Sequence, residues 1–512
     1  MSSPQRETSR ILPARIHGAF SHYASVDPQR VALTDASGTW TYGALADSTK
    51  QIANSLRQLG IRPGDRMMIV AENSLALAGL LFAASSIDAW AIVANPRLTF
   101  RELDQIRAHS GARRVFFAMA VSNEAASHAT AFGAVIGTIA SVGDIGYTSL
   151  NEETVPEPVK EDGAEQVAVL IYTSGTTGIP KGVMLTHENL LVSASETARF
   201  WTIGEQDRNY LVLPISHVVG TSLLILTLLV GGSAKLVSRY EPAALAKAIA
   251  EEGVTVLNGV PATYQRLLEH KELSGKERLE RGKLRITTVA GAPLDVDLKR
   301  RVETEFGIPL LNGYGITECA PGISGVRLDT SQDDHSVGTL ISGVEAKLVG
   351  VGGTQVKGGE VGELHVRGRN VMKGYYRAPD ATAAAIDSEG WFNTGDLARF
   401  EGDRMFIVGR TKEMIIRSGF NVYPAEVEAV LSSHPAVVQC AVVGRAIEGN
   451  EEVVAFVQAL PGTSISPDDI AQFLRPQLAP YKQPSEIIFM KALPATSTGK
   501  LLKHKLKESL TS

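Results

Sequence analysis

The sequence predicts an α/β protein with a large N-terminal layered α/β body that includes an antiparallel β portion, followed by a small mobile α+β C-terminal domain. Three observations carry that expectation. The chain has 512 residues, more than one core organises at about 150 residues per domain. Over the first 320 residues, short apolar runs alternate with segments of helical period, which is the rhythm of buried parallel strands joined by helices. From about residue 410 a shorter α+β pattern takes over, long enough to form a domain of its own.

Taken in order, residues 41–59 carry apolar side chains at helical spacing, and the sequence Gly-Ile-Arg-Pro-Gly-Asp at 60–65 ends that helix before a strand at 66–71. Residues 75–84 read as a buried helix and 91–94 as the next strand. The alternation returns at 243–252 with 254–257, and at 296–306 with 308–311. Between 337 and 408 short alternating runs such as 363–367 and 404–408, separated by glycine-rich turns, predict antiparallel sheet. Further on, Pro424 opens a helix with Glu426 and Glu428 in its first turn, 437–443 and 453–459 are strands, Ser466 caps a second helix, and a strand at 486–490 leads into the loop 493–500. The expected domains are 1–411 and 412–512.

Composition excludes several function classes. Hydrophobic residues make up 44% of the chain and the 50 basic and 55 acidic residues nearly cancel, to a net charge of −5. That is neither a disordered chain nor a basic surface for nucleic acid or an anionic membrane. The apolar stretches 75–87 and 218–230 fall short of the ~20 residues of a membrane span and read as core. The first residues lack the apolar stretch of an export signal. Two distant cysteines, Cys319 and Cys440, make neither a disulfide framework nor a zinc spacing, so a cytoplasmic location is expected.

The densest chemistry lies at 171–183. Thr173, Ser174, Gly175, Thr176, Thr177, Gly178 and Lys181 follow an apolar strand, and a phosphate-wrapping loop needs what they supply: free backbone N–H groups, hydroxyls and one cation. Gly175 and Lys181 have the spacing of a P-loop, but Pro180 stands where its second glycine would be and Gly182 where its metal-binding hydroxyl would be. Other residues are ambiguous alone. Asp396 reads equally as a turn residue, Glu318 as a solvated helix start and Tyr314 as core, while Lys500 could be one more tail lysine beside Lys503, Lys505 and Lys507.

Their order resolves this. The 171–183 segment resembles the signature loop of the adenylate-forming superfamily, which comprises acyl- and aryl-CoA synthetases, firefly luciferase and nonribosomal peptide synthetase adenylation domains. Pro214-Ile-Ser-His-Val-Val-Gly, Ala290-Gly-Ala-Pro-Leu, Asn312-Gly-Tyr-Gly-Ile-Thr-Glu, Gly390-Trp-Phe-Asn-Thr-Gly-Asp, Gly409-Arg, Ser418-Gly-Phe-Asn-Val-Tyr-Pro and Ser497-Thr-Gly-Lys agree with that family in order and spacing.

The resemblance implies an acid:CoA ligase, an acid–thiol ligase that uses ATP, Mg²⁺ and coenzyme A. The loop from Thr173 to Lys181 would hold the β- and γ-phosphates. Gly291, Ala292, Pro293, Asn312, Gly313, Tyr314, Gly315 and Thr317 would surround the nucleotide, with Asp396 and Arg410 at the ribose. Glu318 would ligate the metal and, with Thr317, His217 and Lys500, act in the reaction. His217, Val218, Val219, Gly220, Cys319 and Ala320 would line the acyl pocket. Lys412 would be the hinge, and Ser418, Gly419 and Phe420 the CoA channel. Asn450 and Gln483 depart from residues common in the family near the nucleotide end of CoA.

Two other readings stand beside this one: an adenylating enzyme that loads a carrier protein, and a nucleotide-binding regulator without turnover. The expected partners are a carboxylic acid, ATP and CoA, with no nucleic acid and no membrane span. A homodimer is allowed, and a lysine acetyltransferase acting on Lys500 would remove its charge. The pocket residues carry no cation for a second carboxylate and no aspartate for an amino group. An uncharged-tailed monocarboxylate is therefore expected, and the Val-Val-Gly run after His217, similar to that in halobenzoate ligases, implies an aromatic or alicyclic ring ahead of a medium straight chain.

Overall fold

The computed structural model describes residues 12–173, 181–350, 353–356, 359–417, 420–447, 450–460, 462–495 and 501–510. Two large sheets form the body. In the first, Arg66–Val70 pairs in parallel with Trp90–Ala94 and with Arg114–Phe117, and Val167–Thr173 continues the parallel set. Antiparallel strands close its ends: Lys181–Thr186 and Gly374–Tyr375 on one side, Gly143–Tyr147 and Val135–Ile139 on the other. In the second, Leu310–Gly315, Ile286–Val289, Val256–Gly259, Arg208–Leu211, Ser233–Leu236 and Val31–Asp35 run parallel in that spatial order.

Sequence explains why these sheets bury both faces. Arg66–Val70 and Trp90–Ala94 are buried at every position, as continuous apolar strands require. The helices Leu75–Ser86 and Val218–Leu229 are apolar on all sides and join one core cluster with residues of both sheets, among them Ile69, Val93, Leu211 and Leu236. A helix of that kind is stable only between two apolar layers. Truncating Leu224, fully buried there, to alanine costs about 2–5 kcal/mol.

The element readings at 41–59, 75–84 and 296–306 correspond to the helices Tyr42–Gln58, Leu75–Ser86 and Val296–Phe306. The stretch 337–408 is more divided than its pattern predicts. Glu345–Val349, Gly362–Arg367, Phe392–Glu401 and Arg404–Arg410 form the expected antiparallel sheet, but Thr339–Leu340 and Gly374–Tyr375 return to the two body sheets. Two-residue strands are too short to show a period in sequence.

Beyond residue 411, Ile415–Arg417 pairs with Phe420–Val422, and Val437–Ile447, Asn450–Ala459 and Glu486–Phe489 form a three-stranded sheet against the helices Pro424–Ser432 and Pro467–Leu474. This is the smaller C-terminal α+β portion, with its own core around Val427, Leu431, Val442 and Val457. One detail needs correction: Glu426 lies in the first turn of Pro424–Ser432, but Glu428 lies beyond it. Its carboxylate instead accepts from the Val442 backbone N–H at 2.7 Å and pairs with Lys503 at 2.8 Å. No helix among the described residues is long and apolar enough to cross a membrane.

Candidate functional site

In open α/β sheets ligands bind beyond the carboxyl ends of the strands. That edge of the second sheet carries most of the residues singled out above. His217 follows Arg208–Leu211, Gly291–Pro293 follows Ile286–Val289, and Tyr314 to Ala320 end and follow Leu310–Gly315.

The tightest group joins three segments. Asp396 and Arg410 are directly opposed on antiparallel strands, so their side chains meet across the ladder. Arg410 Nε lies 3.1 Å from Asp396 Oδ1, and Tyr314 donates its hydroxyl to Asp396 Oδ2 at 2.5 Å. Asp396 is only 4% exposed, and its backbone N–H is held by Thr394 Oγ1 at 3.0 Å. Burial and the Asp396 charge push the Tyr314 phenol up, so it stays a donor. Burial works against the Arg410 charge, but Asp396 and Glu413 outweigh it and hold the guanidinium protonated.

From Tyr314 the chain turns sharply. Gly315 pairs with Gly322, and a Cβ on Gly315 would lie 2.2 Å from the Pro321 carbonyl oxygen, so the turn demands glycine. Within it Thr317–Cys319 forms one 3-10 turn that presents Glu318. Cys319 and Ala320 are fully buried, and burial, then the Glu318 charge, pushes the Cys319 thiol far up and leaves it unreactive. Asn312 is almost buried, and its amide nitrogen donates to the His335 and Ser336 carbonyls. Gly313 pairs with Gly325 on the neighbouring strand.

Thr173 and Lys181 sit opposite each other at the ends of two antiparallel strands, so the loop between them begins and ends at one place. Ser174, Gly175, Thr176, Thr177 and Gly178 lie outside the described residues, as do Ser418, Gly419 and Lys500. Gly291 has φ +85°, and Ala292 and Pro293 are half-buried and exposed respectively.

His217 caps the helix Val218–Leu229, its Nδ1 accepting from the Val219 N–H at 3.3 Å. An accepting Nδ1 leaves the neutral ring's proton on Nε2. His217 is exposed and Val219 half-buried, whereas Val218 and Gly220 are buried. A Cβ on Gly220 would lie 2.2 Å from the Pro214 carbonyl oxygen, because the approach loop folds back onto the first helical turn. Phe420 is exposed and stacks on Tyr481 with ring centroids 4.7 Å apart. Lys412 is exposed within the 3-10 turn Thr411–Glu413.

Two residues at the site escape sequence reasoning. Tyr375 donates its hydroxyl to Glu318 Oε1 at 3.0 Å, and Lys181 Nζ lies 4.8 Å from the centre of its ring. Asn73 donates to the Leu211 and Leu213 carbonyls at 3.1 and 3.0 Å and accepts from the Ile215 N–H at 2.8 Å, fixing the loop that leads to His217. Neither stands in a motif with an obvious chemical spacing. Asn73 looks like part of a helix cap before Ser74, and Tyr375 like one apolar residue of a turn.

Comparison with known proteins now adds to this geometry. Residues 20–376 match the model of the AMP-binding enzyme family, and residues 426–500 match that of the AMP-binding enzyme C-terminal domain. A feruloyl-CoA synthase from Amycolatopsis is 36% identical over 94% of this chain and 96% of its own. ATP-bound MatB from Rhodopseudomonas palustris superposes with a TM-score of 0.84 at 29% identity, over 97% of this chain and 99% of that one. An O-succinylbenzoate coenzyme A synthetase from Bacillus subtilis, solved in complex with ATP and a magnesium ion, gives 0.82 at 28% identity over 96% and 99%.

Proposed function

The chain belongs to the AMP-binding enzyme family of acid–thiol ligases, and on that premise we propose that it is an ATP- and Mg²⁺-dependent carboxylic acid:CoA ligase working through an acyl-adenylate. In the first half-reaction an acid carboxylate oxygen attacks the α-phosphorus of ATP, and pyrophosphate leaves. In the second, the CoA thiol attacks the acyl carbon, loses its proton, and AMP leaves as the thioester forms. The observation that carries this reading is the cluster of Tyr314, Asp396 and Arg410, one short turn away from Glu318.

A carboxylate has about four lone-pair sites, so Asp396 is suited by its chemistry to accept the ribose hydroxyls beside Tyr314 and Arg410. The backbone of Gly291, Ala292, Pro293, Gly313 and Gly315 borders the adenine beside the Tyr314 ring. Thr173, the 174–178 loop and Lys181 neutralise and hold the β- and γ-phosphates. Such transfers are accelerated mainly by positioning and charge neutralisation. His217, with its proton on Nε2, orients the acid. Lys500 bridges that carboxylate and the α-phosphate.

The site fits a Mg²⁺ ion. Glu318 offers a hard carboxylate oxygen with Thr317 beside it, and among the described residues no group of three His, Cys, Asp or Glu side chains forms a protein cage. A cation held by one carboxylate, phosphates and water is the arrangement that Mg²⁺ prefers. When bound there, it would neutralise charge on the triphosphate.

The domains 1–411 and 412–512 pivot about Lys412 in this reading. That exchanges Lys500 for the Ser418-Gly419-Phe420 loop, so that two constellations act in turn on one acyl group while water is kept out. Cytoplasmic location is part of the proposal, supported by two free, buried cysteines. Val218, Val219, Gly220, Cys319 and Ala320 are uncharged, which supports an acid with an uncharged tail, and the feruloyl-CoA synthase relative supports an aromatic one. Pyrophosphate release with and without CoA tests the reading over ferulate, benzoate, cyclohexanecarboxylate, hexanoate, octanoate, malonate, oxalate and an amino acid. AMP and thioester should form together only with CoA present. A tenfold preference for a diacid or the amino acid would overturn the pocket argument.

A further inference from the structure

We propose that Tyr375 is a positioning residue that sets the spacing between Glu318 and Lys181, and thereby the affinity of the site for the divalent cation that accompanies ATP. The inference rests on the adenylating reading above.

Its basis is a cradle built from residues 369–376 around the Glu318 turn. The Met372 N–H donates to the Glu318 carbonyl at 2.8 Å. The Asn370 amide donates to the Cys319 and Gly322 carbonyls at 3.2 and 2.8 Å. Asn189, on the helix that follows the Lys181 strand, donates to the Arg369 and Val371 carbonyls at 2.7 and 2.9 Å and so ties the cradle down. Gly374 and Tyr375 then pair with Met184 and Val183 on the strand that Lys181 begins.

Tyr375 sits where these supports converge. Its own N–H is held by Thr382 Oγ1 at 2.9 Å, its hydroxyl holds Glu318 Oε1, and its ring lies beneath the Lys181 ammonium. With Oε1 engaged by Tyr375, rotation of the Glu318 carboxylate is restricted, and a bound cation would be met by its other oxygen. The ring holds the Lys181 charge at a set distance from that carboxylate, as an aromatic face holds a cation. Outer partners of metal ligands act in this way, by orienting a ligand that they do not replace.

Mn²⁺ is the probe, its free-ion EPR signal reporting binding to the full chain with α,β-methylene ATP present and the acid absent, so that turnover contributes nothing. Tyr375→Phe deletes the hydroxyl and keeps the ring. Its Mn²⁺ Kd should rise by about tenfold or more, while calorimetry in EDTA should find its metal-free affinity for the analogue within about twofold of wild type. Tyr375→Leu also removes the ring, so both affinities should weaken. An unchanged Mn²⁺ Kd in Tyr375→Phe overturns the proposal, and so does an equal loss of metal-free affinity in that variant, which would mark a structural defect alone. A wild-type chain binding neither analogue nor Mn²⁺ would overturn the adenylating reading instead.

Discussion

Replacing Asp396 by alanine removes the acceptor on which Tyr314 and Arg410 converge, and the structure separates its costs. Asp396 is 4% exposed, so its two bonds to the ribose hydroxyls would form away from water, as charge-assisted bonds of about 1.5–3 kcal/mol each. Together they set an upper bound of about 3–6 kcal/mol. The lost partners reduce what is measured. The Arg410 side chain is 47% exposed and regains water, whereas the buried Tyr314 phenol loses its acceptor at a cost of about 1–3 kcal/mol, which appears as lower stability of the free enzyme. With about 1.4 kcal/mol per tenfold, the ATP KM for pyrophosphate release should rise at least about tenfold. The diagnostic assay compares ATP with its 2′-deoxy and 3′-deoxy analogues. Wild type should discriminate against both, and Asp396→Ala should handle all three alike. Asp396→Asn keeps the shape without the charge and should fall between them. An unchanged KM, or an Asp396→Ala enzyme that still prefers ATP over the deoxy analogues, refutes the ribose assignment.

Other expectations follow from the same geometry. Asn73→Ala should lower stability by about 1–3 kcal/mol for each buried backbone group left unpaired, as read by urea unfolding, and should reduce adenylation kcat while calorimetric ATP affinity stays near wild type. Lys412→Pro fixes φ near −65°, so pyrophosphate release should persist while thioester formation falls by orders of magnitude; an equal drop in both rates would move the hinge elsewhere. Lys500→Ala should abolish adenylation and spare thioester formation from supplied acyl-AMP, as should acetylation of that amine. Burial pushes the Cys440 thiol from 9.0 up to about 12, so the unfolded chain gives up this proton at lower pH than the folded one. The share of stability linked to this thiol should be intact below pH 9 and be lost from 9 to 12 at up to about 1.4 kcal/mol per pH unit, so urea titrations should find the alkaline decline shallower by that amount in Cys440→Ala.

How legible each part was depends on the range of the interaction that makes it. The helix Val296–Phe306 is fixed by local spacing, a capping aspartate at 295 and Gly307 with φ +64°, and all of that is written within a dozen residues. The motif around Tyr314 is legible for a related reason: Gly315 and Gly322 are needed by a turn that closes on itself. The Asp396–Arg410 pair is cross-strand in a short hairpin. Asn73 and Tyr375 are different. Each acts on backbone or side chain between 57 and 194 positions away, and no periodicity relates positions so far apart. Glu428 shows the same limit, because its partners Val442 and Lys503 replace the helix terminus that local position suggested.

The two unforeseen residues have a common logic. Glu318 follows Leu310–Gly315 and His217 follows Arg208–Leu211, both strands of the second sheet. Yet each is steadied from the first sheet: Glu318 by Tyr375 on its edge strand, the His217 loop by Asn73 just past Arg66–Val70. A displacement of one sheet against the other would therefore move the groups proposed for the metal and the acid together, while Asp396 and Arg410 lie on their own antiparallel sheet, tied to the second one by Tyr314 and by the backbone bonds of Met405 with Val337 and Gly338. The all-apolar helices Leu75–Ser86 and Val218–Leu229 between the sheets resist that displacement, because close-packed cores shift between discrete arrangements and do not deform smoothly. Core packing at the sheet interface thus sets the precision of the site, and a cavity opened there, as by Leu224→Ala, should disturb metal and acid binding more than ribose recognition.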